Sequence, residues 1–137
     1  KEGKSIEDFF IGEKMRDKIS SFHRSFFGFD FAPQRTKKHV ANPAKNSSAK
    51  RLNMYLRWMV RKDDVDFGIW NSIKPSQLKC PLDVHVQRAA FHFGLLTRKQ
   101  QDWKAVEELS DNLVRLDPVD PIKYDLALFV HSERYMS

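Results

Sequence analysis

The sequence predicts an all-α protein of five to six helices. Apolar residues recur at spacings of three and four along most of the chain. No segment alternates polar and apolar residues over the length of a strand, and no Asn-Gly or Asp-Gly pair is present to turn a hairpin. With 137 residues, 41% of them hydrophobic and 31% charged, the chain has the size and composition of one globular unit, so residues 1–137 are read as a single helical domain.

Ser5, Glu7 and Asp8 open a short helix expected to bury Ile6, Phe9 and Phe10. Between Glu13 and Phe27, residues Met15, Ile19, Phe22 and Phe26 form one helical face, which Gly28 and the segment up to Pro33 terminate. Residues 28–46 read as an extended basic connection punctuated by Asn42, Pro43 and Asn46. Ser47 or Ser48 is expected to cap a helix running to about Arg61. Leu52, Leu56, Met59 and Val60 form its apolar side, and Lys50, Asn53, Arg57 and Arg61 form a polar stripe opposite.

Residues 62–81 form a long connection, expected to be packed down by Phe67, Ile69, Trp70 and Ile73. A helix over about 84–93 follows Pro81, with Val86, Ala89, Ala90 and Phe93 inward and Gly94 at its end. The stretch from Gln101 to Leu116 is amphipathic, with Trp103, Val106, Leu109, Leu113 and Leu116 on the core side. After two Asp-Pro steps, a last helix over about 121–131 is expected to bury Ile122, Leu126, Phe129 and Val130.

The net charge is +6, and its distribution is uneven. Residues 31–62 carry nine basic side chains and no acidic one, whereas residues 63–137 carry nine basic and twelve acidic. A phosphate backbone is attracted to such a stretch, although a solvated face has the same composition.

Several functions are disfavoured. Cys80 is the sole cysteine, so the chain forms no internal disulfide and no four-thiolate cluster, and a reducing, cytoplasmic setting is expected. No apolar run is long enough for a bilayer and no signal-peptide pattern opens the chain, so no membrane association is expected. No glycine-rich phosphate loop is present, and no small-molecule cofactor is expected. His85 and His92 are read as polar helix residues and not as metal ligands, and Cys80 lacks a base partner.

The most informative block is Cys80-Pro81-Leu82-Asp83-Val84-His85-Val86-Gln87-Arg88. An Asp at the mouth of a helix is a preferred cap, and capping alone accounts for it. With Gly94-Leu95 downstream, the block also resembles the Asp-bearing motif of the helix-hairpin-helix DNA glycosylase superfamily, most closely its archaeal oxidised-guanine branch. The segments Pro33-Gln34-Arg35, Lys50 to Met54, Arg57 to Asp64, Asp117-Pro118 and Lys123-Tyr124-Asp125 further resemble a widespread, uncharacterised bacterial family. The likeness covers about residues 33–129.

The resemblance implies a helix-hairpin-helix glycosylase fold, with this chain as the C-terminal part of a longer domain, and base-excision repair of damaged duplex DNA. It implies Lys50 as the nucleophile of a glycosylase with AP-lyase activity and Asp83 as its assisting carboxylate. Asp125 and Phe129, four apart on a late helix, would line the base pocket, although any amphipathic helix has that spacing. Lys45, Ser47, Ser48, Arg51 and Arg57 would touch the DNA backbone. The chemistry demands such a pair. A neutral amine attacks the anomeric carbon, and a carboxylate stabilises the cation-like sugar as the base leaves.

The superfamily's hairpin uses glycines to approach phosphate. Here the corresponding turn, Asn42 to Asn46, has none, so side chains must make the contact. Two other functions fit the same residues: a non-enzymatic basic module that binds nucleic acid, and a helical interaction domain whose basic face meets an acidic protein.

Overall fold

A computed structural model describes residues 6–27, 47–63 and 66–136, without the side chains of residues 23 and 25–27. Among the described residues are five α-helices and no strand: α1 Met15–Phe27, α2 Lys50–Val60, α3 Val84–His92, α4 Trp103–Leu116 and α5 Asp125–Tyr135. Three 3-10 turns, Ile6–Phe9, Pro75–Gln77 and Pro121–Tyr124, link them. The first takes the place of the expected N-terminal helix. The basic connection 28–46, with Lys45 and the turn Asn42 to Asn46, lies outside the described residues.

Caps explain where α3 and α4 begin. Asp83 accepts a hydrogen bond from the Val86 N–H at 2.9 Å, and Asp102 accepts one from the Ala105 N–H at 3.0 Å. The end of α3 is set by Gly94, whose φ of 70° reverses the chain so that the Leu95 N–H donates to the Ala90 carbonyl at 2.8 Å. The start of α2 differs from expectation. Its cap position is Ala49, held at φ 51°, and no side chain caps the helix. Ser47 Oγ instead accepts from the Ala49 N–H at 3.2 Å, from two residues before the cap position. The Ser48 carbonyl accepts from the Asn53 side chain at 3.1 Å, and the Ser47 backbone bridges to Asp102 at the start of α4.

The core joins every helix. Ile19 of α1, Leu56 and Val60 of α2, Ala89 and Ala90 of α3, and Trp103, Val106, Leu109 and Leu113 of α4 are all buried. Ile73, Leu78, Leu82 and Ile122 fill in from the connections. α3 packs along α5, and α4 packs on the turn Pro121–Tyr124.

Several expected core positions are exposed. In the 62–81 connection Trp70 and Ile73 are buried, but Phe67 and Ile69 are 72% and 64% exposed. The segment is anchored before Phe67 by the buried carboxylate of Asp66, so a second apolar anchor is not needed there. In α5 the inward stripe is Asp125, Leu128 and Ser132, while Leu126 and Val130 face solvent and Phe129 is half-buried. That is a rotation of about one residue, or 100°, from the expected face, and it turns a charged side chain inward. Ile6, Phe93 and Leu116, all at element ends, are exposed as well.

The link from α4 to α5 is held by Asp117. Its Oδ1 accepts from the Val119 and Asp120 N–H groups, both at 3.0 Å, and its Oδ2 lies 2.6 Å from Lys123 Nζ. The hydrogen bond from Lys123, with those two backbone bonds, holds the Asp117 carboxyl down at about 2. A carboxyl depressed on folding stabilises the native state above its ordinary value of 3.8, and that contribution is lost as the pH falls through about 2. Asp117→Asn should therefore lose less melting temperature than the parent between about pH 5 and pH 2 in acid titrations followed by circular dichroism. In the core, Leu109→Ala should cost about 3 kcal/mol in urea unfolding, while Phe67→Ala should change stability by under about 0.5 kcal/mol.

Candidate functional site

α2 carries the residues that build the site, and its polar stripe does not face solvent as expected. Asn53, Arg57 and Arg61 are all buried. The buried carboxylate of Asp66 divides itself between the two arginines, with Oδ1 on Arg57 Nη1 and Oδ2 on Arg61 Nη1, both at 2.8 Å. Arg57 Nε also stands 2.8 Å from Asp125 Oδ2. Arg61 takes Asp120 through two hydrogen bonds, at 2.9 and 2.8 Å, and Asp63 through a third at 2.7 Å. The hydrogen bond to Asp120 makes the Arg61 proton harder to lose than in a free side chain. Burial pushes the Asp66 carboxyl up, opposed by Arg57.

These charges are out of water, so each needs its partners. Arg57 is thereby committed to two carboxylates, and the expected DNA-backbone contact at this position is withdrawn. Its guanidinium is instead part of a cavity wall.

That cavity, of about 370 Å³, lies where α2, the start of α3 and α5 meet. Lys50, Met54, Arg57 and Trp58 line it from α2, Pro81, Asp83 and Val86 from the α3 entry, and Asp125, Leu126 and Phe129 from α5. The four expected site residues Lys50, Asp83, Asp125 and Phe129 therefore share one cavity.

Lys50 Nζ stands 3.6 Å from Asp83 Oδ2, with side chains 46% and 20% exposed. The separation is an ion-pair distance, longer than a hydrogen bond. Asp83 performs two tasks with two atoms, because Oδ1 caps α3 while Oδ2 faces the amine. Deeper in, Asp125 directs Oδ2 to Arg57, and its buried Oδ1 makes no hydrogen bond to any described residue. Burial raises the Asp125 carboxyl above the ordinary aspartate range, opposed chiefly by Arg57 and also by the Leu126 N–H. The Phe129 ring meets the edge of His85, with centroids 5.0 Å apart.

Among the other expected contacts, Arg51 is exposed on α2, Ser47 and Ser48 are half-buried just before it, and Lys45 lies outside the described residues. Met54 and Trp58 were not singled out as cavity residues in the sequence, yet they stand four and eight residues after Lys50, the spacing of one helix face. His92 stacks on His131 with centroids 5.5 Å apart, and Cys80 is fully buried, which raises its thiol above the usual range. No group of three or more metal-ligating side chains occurs among the described residues, and no helix there is long and apolar enough to cross a membrane.

The architecture is thus an all-helical protein with a lysine and an aspartate facing each other over a largely apolar cavity. A family of unknown function, DUF2400, matches residues 1–133, and the chain belongs to it. The match extends beyond the 33–129 likeness seen in the sequence, and the family description names no activity. Neither a curated protein nor a solved structure matches the chain.

The ion network yields a direct prediction. Asp66→Ala strands two buried guanidinium groups and should cost about 3–5 kcal/mol. Removing the more exposed Asp63 carboxylate should cost about 1 kcal/mol or less. Urea unfolding of the two variants distinguishes them.

Proposed function

We propose that this chain carries the active centre of a DNA glycosylase with AP-lyase activity, acting in base-excision repair on a damaged base in duplex DNA. Oxidised guanine is the lesion that the sequence likeness implies, and the helix-hairpin-helix fold is part of the same proposal. One observation carries it. An amine and a carboxylate, Lys50 Nζ and Asp83 Oδ2, stand 3.6 Å apart on the rim of a cavity that also holds Asp125 and Phe129.

The chemistry follows from those positions. The damaged nucleotide leaves the base stack, and its base enters the cavity. With a proton passed to Asp83, the Lys50 amine attacks C1′ as the C1′–base bond breaks, and the base leaves with the bonding pair and takes up that proton. Asp83 stabilises the positive charge that builds on the sugar and accepts protons as the ring opens to an imine. Loss of a C2′ proton then expels the 3′-phosphate by elimination, and water hydrolyses the imine to restore Lys50. Asp125 Oδ1, a buried acceptor with no donor among the described residues, is suited to an N–H on the edge of the base.

A second function is favoured by the cap itself. Because Asp83 Oδ1 is accounted for by α3, the same chain could be a binding module in which Lys50 only meets phosphate.

Borohydride trapping separates the two. Full-length chain incubated with duplexes bearing an abasic or oxidised-guanine site should give a covalent adduct, and Lys50→Gln should give none. Asp83→Asn keeps a good capping side chain, so its melting temperature should hold while adduct formation slows by about 100-fold or more. Binding with a steep salt dependence and no adduct would establish the module instead. Absence of binding at low salt would remove both.

A further inference from the structure

Trp58 has no part in the chemistry above, yet it lines the cavity while 42% exposed. The other two tryptophans, Trp70 and Trp103, are 6% and 1% exposed and belong to the core. Trp58 sits two helical turns beyond Lys50 on the face that also presents Met54. Its backbone is fastened, since the Trp58 carbonyl accepts from the Phe67 and Gly68 N–H groups at 2.8 and 3.1 Å. Gly68 makes that closure possible. Its φ is 61°, and a Cβ there would meet the Arg61 carbonyl at 2.8 Å and the Lys62 side chain at 2.5 Å. The backbone that carries this aromatic surface is therefore fastened beside the cavity by a turn that glycine fits.

The rest of the cavity says what could cover it. Phe129 supplies a second aromatic wall from α5, and Met54, Val86 and Leu126 make the interior apolar. The buried Oδ1 of Asp125, without a donor among the described residues, suits an N–H donor. A flat ring, apolar on its faces and carrying N–H at its edge, satisfies all three features, and nucleobases are such rings. We propose that Trp58 is the stacking platform that holds an extruded nucleobase in this cavity. The proposal rests on the DNA assignment above but not on Lys50 chemistry. Every base has a π-face, so the platform contributes affinity without choosing the base, and choice falls to the polar edge at Asp125.

The test compares two labelled duplexes by fluorescence anisotropy with the full chain. One carries a mismatched 2-aminopurine, and the other carries a tetrahydrofuran abasic analogue, which has no base to stack and no aldehyde to react. The parent chain should bind the 2-aminopurine duplex about tenfold more tightly. Trp58→Ala should abolish that preference, and Trp58→Phe should keep most of it. Acrylamide quenching of tryptophan emission, to which Trp58 is the most accessible contributor, should fall when the 2-aminopurine duplex binds. An equal affinity of the parent for both duplexes, or a preference that survives Trp58→Ala, would overturn the platform. Borohydride trapping on abasic DNA, which contains no base, would still report separately on the enzyme.

Discussion

The buried carboxylate of Asp66, shared between Arg57 and Arg61, is the interaction on which the molecule's arrangement depends. Two guanidinium groups, from Arg57 in the last turn of α2 and Arg61 just after it, point inward, where charges are tolerated only when paired. Asp66 brings in the connection after α2, Asp120 brings in the turn before α5, and Asp125 brings in α5 itself. Two stretches distant in sequence, residues 57–66 and 120–125, are thus located by the need to neutralise two cations. Hydrophobic burial supplies the driving force for compaction but is non-directional. The fork geometry of arginine makes these contacts specific in angle as well as distance.

The same network forms one side of the cavity. Arg57 is at once a structural cation and a cavity wall, and its pull on Asp125 Oδ2 leaves Oδ1 without a partner. Burial raises the Asp125 carboxyl, and the arginine beside it opposes that rise. A buried acceptor left open among the described residues in this way is uncommon in folded proteins. At the rim, Asp83 caps α3 and faces Lys50 with one side chain. Capping uses one oxygen and fixes the rotamer, so the other oxygen is aimed at Lys50 without a further ordering cost.

Helix positions were legible because they depend on local chemistry. The spacing of Met15, Ile19, Leu56, Val106 and Leu109, the cap at Asp83 and the stop at Gly94 are short-range features, and each appears where its residues predict. The site was legible in part. Lys50, Asp83, Asp125 and Phe129 were picked out through a likeness in motif, while Met54 and Trp58 followed only from the helix face that Lys50 occupies.

By itself, then, the sequence determined the helical class and the approximate limits of α1 to α4, whereas the last helix, expected over about 121–131, runs from Asp125 to Tyr135 behind a 3-10 turn. Tertiary structure alone decided which way the charged side chains turn. The stripe of Asn53, Arg57 and Arg61 reads as a solvent face because periodicity counts polar residues as outward. It is buried because Asp66, Asp120 and Asp125 arrive from elsewhere in the chain, and a pairing energy between distant residues leaves no periodic trace. The one-residue rotation of α5 and the exposure of Phe67 have a similar origin, since each segment is anchored by an aspartate held to an α2 arginine rather than by its apolar residues alone.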